Sequence, residues 1–220
     1  MFSLSSITKK QIVACTGLFL VLFILGHLSG NFLIFLGPNA YNGYAHHLRD
    51  LGPLLKVVQF LLFMIFVIHM SLTISLLIGN IRARGVRRYA VDCPVGERTW
   101  ASRLIPFTGA YICAFVIRHL YDFAFADMHG PRSFINGVGY DVYGVVYNTF
   151  KDPGNSGAYV LAVCFLGFHL AHGVQSLIQT LGFEHPVWSP RIRALSVWTG
   201  GLVALLYSSI PIYLLIYVKS

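Results

Sequence analysis

Five long apolar stretches constrain this chain more than any other feature of its sequence. They lie near residues 11–36, 54–80, 102–126, 157–181 and 194–218. Each is long enough to cross the hydrocarbon core of a bilayer as a helix, which takes about 20 residues. Because a backbone in lipid must satisfy its own hydrogen bonds, such stretches have to be helical. The sequence therefore predicts an all-α integral membrane bundle of five transmembrane helices, formed by residues 1–220 as a single domain.

The composition and the positions of proline and glycine agree with this prediction. Hydrophobic residues make up 56% of the chain and charged residues 11%, which leaves too few polar side chains to cover a water-soluble globule. Proline and glycine pairs separate the stretches, at 37–38, 52–53 and 153–154. The first stretch has no short hydrophobic core followed by a cleavage site of small residues, so we expect it to be retained rather than removed as a signal peptide.

The distribution of cations predicts the orientation of the chain. If the N-terminus is cytoplasmic, the inner segments hold ten of the sixteen Lys and Arg residues and three of the eight acidic residues. The cations on that side are Lys9, Lys10, Arg82, Arg84, Arg87, Arg88, Arg98, Arg103, Arg191 and Arg193. This excess follows the positive-inside rule. Five spans then leave the C-terminus outside.

The cysteines exclude several kinds of metal site. Cys15, Cys113 and Cys164 lie inside apolar stretches, Cys93 lies in a predicted inner loop, and the sequence has no C-x-x-C pair. An iron–sulfur cluster or a structural zinc site is not predicted from that pattern. A covalently attached haem is excluded as well, because it needs C-x-x-C-H.

Four histidines, His27, His69, His119 and His169, lie one apiece in four different apolar stretches. A buried imidazole costs free energy unless it is paired or binds a metal. Four of them together favour two b-type haems, each bound by two histidines. Two alternatives remain: each histidine could form a hydrogen bond across a helix interface, or all four could bind one metal ion.

The rise of a helix, about 1.5 Å per residue, predicts how deep each histidine lies. On this rise His27 lies about 15 Å from the outer end of its helix and His119 about 5 Å from it. The helices of His69 and His169 start at the outer side, and both residues lie roughly 20–24 Å along them. We therefore expect an outer pair, His27 and His119, and an inner pair, His69 and His169. One ion bound by all four is disfavoured by this separation.

Glycines accompany the histidines. His27 lies within a G-x-x-x-G spacing, and Gly109, Gly167 and Gly173 occur on other spans. Small residues allow helices to approach closely, which explains them as packing positions. They also leave room for a flat macrocycle.

The ordered set of histidine segments resembles a known family. GHLSGNF at 26–32, VIH at 67–69, RHL at 118–120 and FHLAHGVQS at 168–176 are similar, in this order, to the haem-ligand segments of dihaem cytochrome b subunits of succinate:quinone oxidoreductases. The resemblance extends over the five spans to QTLG at 179–182. It implies the membrane-anchor subunit of a succinate dehydrogenase or quinol:fumarate reductase.

The resemblance implies the cofactors, partners and location. His69 and His169 would ligate the inner haem b, and His27 and His119 the outer one. Electrons would pass between menaquinone or ubiquinone and an iron–sulfur subunit, which with a flavoprotein subunit would lie on the cytoplasmic side. The location implied is the bacterial cytoplasmic (inner) membrane, and the complex could form a higher oligomer.

Several further residues are candidates for the surroundings of these sites. His172 is an alternative ligand to His169 or a haem neighbour, and Arg82, Arg103 and Arg118 are candidate partners of haem propionates. The quinone-site candidates lie in the first outer loop, where titratable groups could move protons; they are His46, His47, Arg49 and Asp50. Their alternative is an ordinary solvated loop. The segment 127–156 is expected to fold over the outer face, with His129 exposed.

One position departs from the family. Some fumarate reductases of this kind have a glutamate two residues before the fourth haem ligand, which supports proton transfer across the membrane. Here that residue is Gly167, and no carboxylate lies within 157–181. A proton path of the glutamate type is therefore not expected.

The sequence fits other functions less well. The formal net charge of +8 does not indicate nucleic-acid binding, because the cations lie in short loops beside spans, where lipid headgroups, propionates and an acidic partner are the expected counter-ions. A cytochrome b anchor of a hydrogenase or formate dehydrogenase is an alternative, and a proton-coupled transporter a more distant one. The chain has no P-loop or dinucleotide fingerprint, and no convincing internal repeat was found.

Overall fold

The computed structural model describes residues 4–84 and 100–217. Its helices are α1 (Ser6–Asn31), α2 (Pro38–Asp50), α3 (Pro53–Arg84), α4 (Trp100–His119), α5 (Asp141–Lys151), α6 (Pro153–Thr180) and α7 (Ser189–Ile216). A 3₁₀ turn, Phe32–Leu36, extends α1, and a π-helical turn, Leu120–Ala124, extends α4. Before α5 come a 3₁₀ turn, Pro131–Ser133, and an antiparallel hairpin of β1 (Phe134–Ile135) and β2 (Val138–Gly139).

Five helical segments in the described part of the chain are long and apolar enough to cross a membrane. They are Ser6–Leu36, Pro53–Ala83, Leu104–Ala124, Pro153–Thr180 and Ser189–Ile216. The prediction of a mainly helical chain with five segments long and apolar enough to span a membrane is thereby confirmed. The predicted spans differ from these segments mainly at their ends.

Local sequence explains where the helices begin and turn. The Ser5 side chain accepts a hydrogen bond from Thr8 N at 3.1 Å and caps α1, and Asp152 caps α6 by accepting from Asn155 N at 2.7 Å. Pro153 follows at the first helical position, where its missing N–H costs nothing. Gly37 has a φ of 93°, a conformation that side-chain-bearing residues rarely adopt, and it lets the chain turn between α1 and α2.

Helix α6 lies at the centre of the bundle, where it packs against α1, α4, α5 and α7. Its closest neighbour is α7. A Cβ atom placed on Gly200 would lie 2.3 Å from the Gly167 carbonyl oxygen, and one placed on Gly167 would lie 2.8 Å from Ala204 Cβ. Ser196, which is fully buried one turn earlier, donates to the Ala171 carbonyl at 2.7 Å. Small side chains thus bring two helices into backbone contact, which is how apolar helices associate in lipid.

This contact gives a physical reason for glycine at position 167. A glutamate there would need the space that Ala204 and the Gly200 backbone occupy. The position therefore serves the packing of α6 against α7.

The segments expected to be outer loops contain helices. Residues 38–50 form α2, and 141–151 form α5, and both lie at the bundle end where α1 ends, which we call the capped end. Their buried side chains make one cluster with the ends of the spans. It consists of Ile34, Tyr41, Tyr143, Val146, Tyr147, Phe150, Tyr159, Ile210 and Leu214.

Hydrogen bonds connect α2 to α1 near His27, and a glycine on α1 allows the two helices to approach closely. Asn31 Nδ2 donates to the His27 carbonyl at 2.8 Å, and Tyr41 Oη donates to Asn31 Oδ1 at 3.1 Å. Burial raises the pKa of Tyr41 to about 12, so its hydroxyl stays protonated and able to donate. A Cβ on Gly30 would lie 2.6 Å from the Tyr44 ring. The second glycine of G-x-x-x-G, Gly30, therefore makes room for Tyr44 of α2, whereas a Cβ on Gly26 would meet open space.

We predict that Gly200→Val destabilises the fold, because its side chain would overlap the Gly167 carbonyl and push α7 away from α6. Overpacking of this kind costs about 1–3 kcal/mol. The matched control is Gly201→Val, because a Cβ at Gly201 meets nothing within 4 Å. Thermal unfolding in detergent, followed by circular dichroism, should show a lower midpoint for Gly200→Val alone. Equal midpoints for both variants would contradict the packing explanation.

Candidate functional site

The outer histidine pair joins two helices at the capped end. His27 on α1 and His119 on α4 have ring centroids 5.8 Å apart and nearly perpendicular planes, at 88°. Two imidazoles that bind opposite sides of one transition-metal ion, each through a nitrogen about 2 Å from it, place their centroids roughly 6 Å apart. The separation therefore fits a pair of axial ligands.

Aromatic rings surround this pair. Phe23 stacks on His27 at 5.3 Å, and the Tyr207 ring lies 6.4 Å from it. His119 lies among Phe115 and Phe123, with ring centroids 5.8 Å and 5.3 Å away. Such rings provide an apolar wall suited to the face or edge of a macrocycle.

His119 carries a buried nitrogen that the described residues leave without a hydrogen-bond partner, its Nδ1. A buried polar atom in that state costs about 1–3 kcal/mol. Native structures contain few such atoms, and each calls for an explanation such as a missing ion or ligand. The orphaned nitrogen is thus a second observation that fits a prosthetic group beside the outer pair.

The inner pair is held by two threonines on other helices. His69 Nδ1 on α3 lies 3.1 Å from Thr16 Oγ1 on α1, and His169 Nδ1 on α6 lies 3.2 Å from Thr108 Oγ1 on α4. His169 is also within electrostatic range of His69. The grouping expected from helix rise thus has a direct ring contact in the outer pair and an electrostatic interaction in the inner pair. Their role as ligands stays a prediction.

The two pairs lie at two levels of the bundle. On α1, Thr16 contacts His69 and marks the inner level, and His27 marks the outer level. On α4, Thr108 contacts His169 and marks the inner level, and His119 marks the outer level. Each interval is 11 residues, or about 16 Å of helix rise. Among the described residues, no group of three or more His, Cys, Asp and Glu is arranged to hold a metal ion.

Glycines lie beside the inner histidine rings. A Cβ on Gly17 would lie 3.4 Å from His69 Cε1, and one on Gly109 would lie 3.6 Å from His169 Cε1. Gly173 meets open space. Both distances are ordinary van der Waals contacts, so a methyl group would fit at either position and neither glycine is required to leave room for its histidine.

A buried carboxylate lies next to the outer pair. Asp122 is 9% exposed and belongs to the π-helical turn that follows His119. Its Oδ2 accepts from Tyr159 Oη at 2.8 Å and from Arg118 Nε at 3.3 Å, and Arg118 also donates to Asn155. Turns of this kind occur frequently at functional sites. Arg118, a candidate propionate partner in the sequence, is thus already paired with Asp122.

The remaining candidates around the inner pair are distributed as follows. His172 is half-buried and within electrostatic range of His169, but His169 is the one that faces Thr108. Arg82 lines a 490 Å³ groove between α1 and α3 together with Lys9. The side chain of Arg103 lies outside the described residues, as do that of Arg84 and the whole of Arg87, Arg88 and Arg98.

The groove offers a cation closer to the inner pair than Arg82. Lys9 Nζ donates to Ser75 Oγ at 2.9 Å. Ser75 is six residues beyond His69, about 9 Å of helix rise, whereas Arg82 is thirteen residues beyond it, about 20 Å. For a charge near the inner pair, Lys9 is therefore the better placed of the two.

The quinone-site candidates lie on helix α2 instead of in a loop. His46, His47, Arg49 and Asp50 are all exposed. His46 Nε2 lies 3.4 Å from Asp141 Oδ2 at the start of α5, and His129 Nδ1 approaches the other oxygen of Asp141 at 3.7 Å. Asp141 thus links His46 to the segment before α5, and His129 is exposed as expected.

Thr16 and Thr108 are the site residues that the sequence interpretation missed. A signal for them exists, because α1 and α4 share the spacing T-G-x₉-H, from Thr16 to His27 and from Thr108 to His119. The signal is weak because it is an internal correspondence between only two of the five spans.

Comparisons with models of known protein families, with curated proteins and with solved structures find no match to this chain.

We predict that Tyr159→Phe weakens the capped end, because it removes the hydroxyl that donates to buried Asp122. A hydrogen bond to a charged group contributes about 1.5–3 kcal/mol. The thermal midpoint of the purified protein should fall. Tyr121→Phe is the control, since Tyr121 lies on the same turn but is 72% exposed. If Tyr159→Phe unfolds at the same temperature as this control, the bond does not stabilise the site.

Proposed function

We propose that this chain is the membrane-anchor cytochrome b subunit of a succinate:quinone oxidoreductase, a succinate dehydrogenase or a quinol:fumarate reductase. In that role it passes electrons between a membrane quinone and the iron–sulfur subunit through two haems b. The observation that carries the proposal is the arrangement of four histidines from four helices as two pairs, about 16 Å apart along the bundle.

Each part of the chain has a task in this proposal. His27 and His119 hold the outer haem b, His69 and His169 the inner one, and bound haem iron supplies the one-electron chemistry. Aromatic side chains surround the outer pair. The buried carboxylate of Asp122 fixes Arg118 and Tyr159 beside the outer pair.

The partners follow from orientation and from the family resemblance. By the positive-inside rule, the excess of cations supports a cytoplasmic location for the end of the bundle opposite α2 and α5. A flavoprotein subunit and an iron–sulfur subunit would dock there, in the bacterial cytoplasmic membrane, and the chemistry on the dicarboxylate would belong to them. The quinone would be menaquinone or ubiquinone.

Two other functions make different predictions. A cytochrome b anchor of a hydrogenase or formate dehydrogenase would bind haem in the same spans but purify with other subunits. A proton-coupled transporter would use the histidines without haem, and the hydrogen bonds from Thr16 to His69 and from Thr108 to His169 fit that function or simple packing too. A reduced-minus-oxidised visible spectrum distinguishes the transporter from both cytochromes.

We predict about two non-covalent haems b per chain, measured as pyridine haemochrome against protein. His69→Ala or His169→Ala should remove the inner haem first, whereas His27→Ala or His119→Ala should remove the outer one. The control is His129→Ala, whose side chain is 83% exposed. A wild-type value near zero would refute the proposal. Loss of the outer haem alone from either inner variant would refute the pairing.

We further predict an outer quinone site at the exposed end of α2. Single replacements His46→Gln, His47→Gln and Asp50→Asn should lower quinone-linked turnover of the complex at least about tenfold in one or more cases, as expected for loss of an acid–base group. Both haems must be retained spectroscopically. His129→Gln serves as control because His129 also faces Asp141 but lies outside the candidate group. Wild-type turnover in all three variants would move the site to the inner level.

A further inference from the structure

We infer that Thr16 and Thr108 are positioning residues that orient His69 and His169 as the axial ligands of the inner haem, an inference that rests on the proposed function. Thr16 on α1 contacts His69 on α3, and Thr108 on α4 contacts His169 on α6. Two independent contacts of the same kind thus converge on one pair.

The direction of each hydrogen bond follows from the threonine. A hydroxyl has one hydrogen and two lone pairs. Thr16 Oγ1 donates to the Ile12 carbonyl at 2.7 Å, and Thr108 Oγ1 donates to the Ile105 carbonyl at 3.1 Å. With the hydrogen used on its own helix, each oxygen turns a lone pair toward the histidine. The Nδ1–H of the imidazole is then the donor.

That direction selects the tautomer that can bind a metal. A neutral imidazole with its hydrogen on Nδ1 has its lone pair on Nε2. Histidines that ligate metals ordinarily donate their other N–H to a neighbouring oxygen, which fixes the ring and strengthens the ligand. Thr16 and Thr108, which are 8% and 3% exposed, provide such oxygens out of reach of competing water.

The residue after each threonine bounds the ring from a second direction. The Cε1 atoms of His69 and His169 lie 3.4 Å and 3.6 Å from where a Cβ on Gly17 and Gly109 would be, which is ordinary van der Waals contact. The Thr–Gly pair therefore provides an acceptor and packs against the same ring. The same pair occurs twice, at equal distance from the outer histidine of its helix.

The outer pair has a different arrangement. His119 Nδ1 has no partner among the described residues. The threonine contacts thus distinguish the two levels, and their effect should be confined to the inner haem. Because the Nδ1–H···O bond increases electron donation by the ring, it stabilises ferric iron. Its loss should make the reduction potential of the inner haem more positive.

The test compares Thr16→Val, Thr108→Val and the double variant with wild type in the purified haem-loaded protein. Valine keeps the shape of threonine but removes the acceptor. The matched control is Thr73→Val: Thr73 donates to the backbone carbonyl of His69 at 2.6 Å. Thr16→Ser and Thr108→Ser restore the acceptor. The readouts are equilibrium redox potentiometry of both haems and haem per chain.

We expect each valine variant to shift the inner-haem potential upward, the double variant to shift it further and to lose part of the inner haem, and both serine variants to stay near wild type. The outer-haem potential should not move. An inner-haem potential in Thr16→Val and Thr108→Val equal to that of Thr73→Val would overturn the inference while leaving two haems and the proposed function intact. A wild-type chain without haem would overturn both.

Discussion

The structure depends on one constraint of the bilayer: a polar group inside an apolar helix must find its partner within the protein. The inner histidines meet it through Thr16 and Thr108 on neighbouring helices, and buried Asp122 meets it through Tyr159 and Arg118. His119 does not meet it with the described residues alone. The arrangement of polar groups therefore distinguishes an inner level whose histidine Nδ1 atoms have partners from an outer level in which His119 Nδ1 has none among the described residues.

Packing and chemistry use the same helices in different ways. Helix α6 contacts α7 through Gly167 and Gly200, with no room for a larger side chain, while its other side presents His169 to α4. The close contact fixes α6, and α6 in turn fixes the inner level. The absence of a glutamate at 167 follows from this packing. A proton path that uses a carboxylate at this position is therefore not expected.

The sequence predicted the long apolar helices and the proximity of His27 to His119, because both follow from periodic geometry and helix rise. It did not predict α2 and α5, whose helices are stabilised by burial of Tyr41, Tyr147 and Phe150 against the bundle end rather than by a strong local signal. Thr16 and Thr108 were missed for a related reason. A threonine on an apolar helix is ordinary until its three-dimensional neighbour is known. Haem binding and partners still rest on resemblance and geometry.

The central claim is that each histidine pair binds one iron from both sides. Low-temperature electron paramagnetic resonance of the oxidised purified protein tests it most directly, because low-spin ferric haem with two imidazole ligands has a characteristic spectrum. We predict two such signals from the wild-type chain, of which one disappears in His119→Ala and the other in His169→Ala. A spectrum without low-spin haem, or one unchanged by both substitutions, would contradict the account.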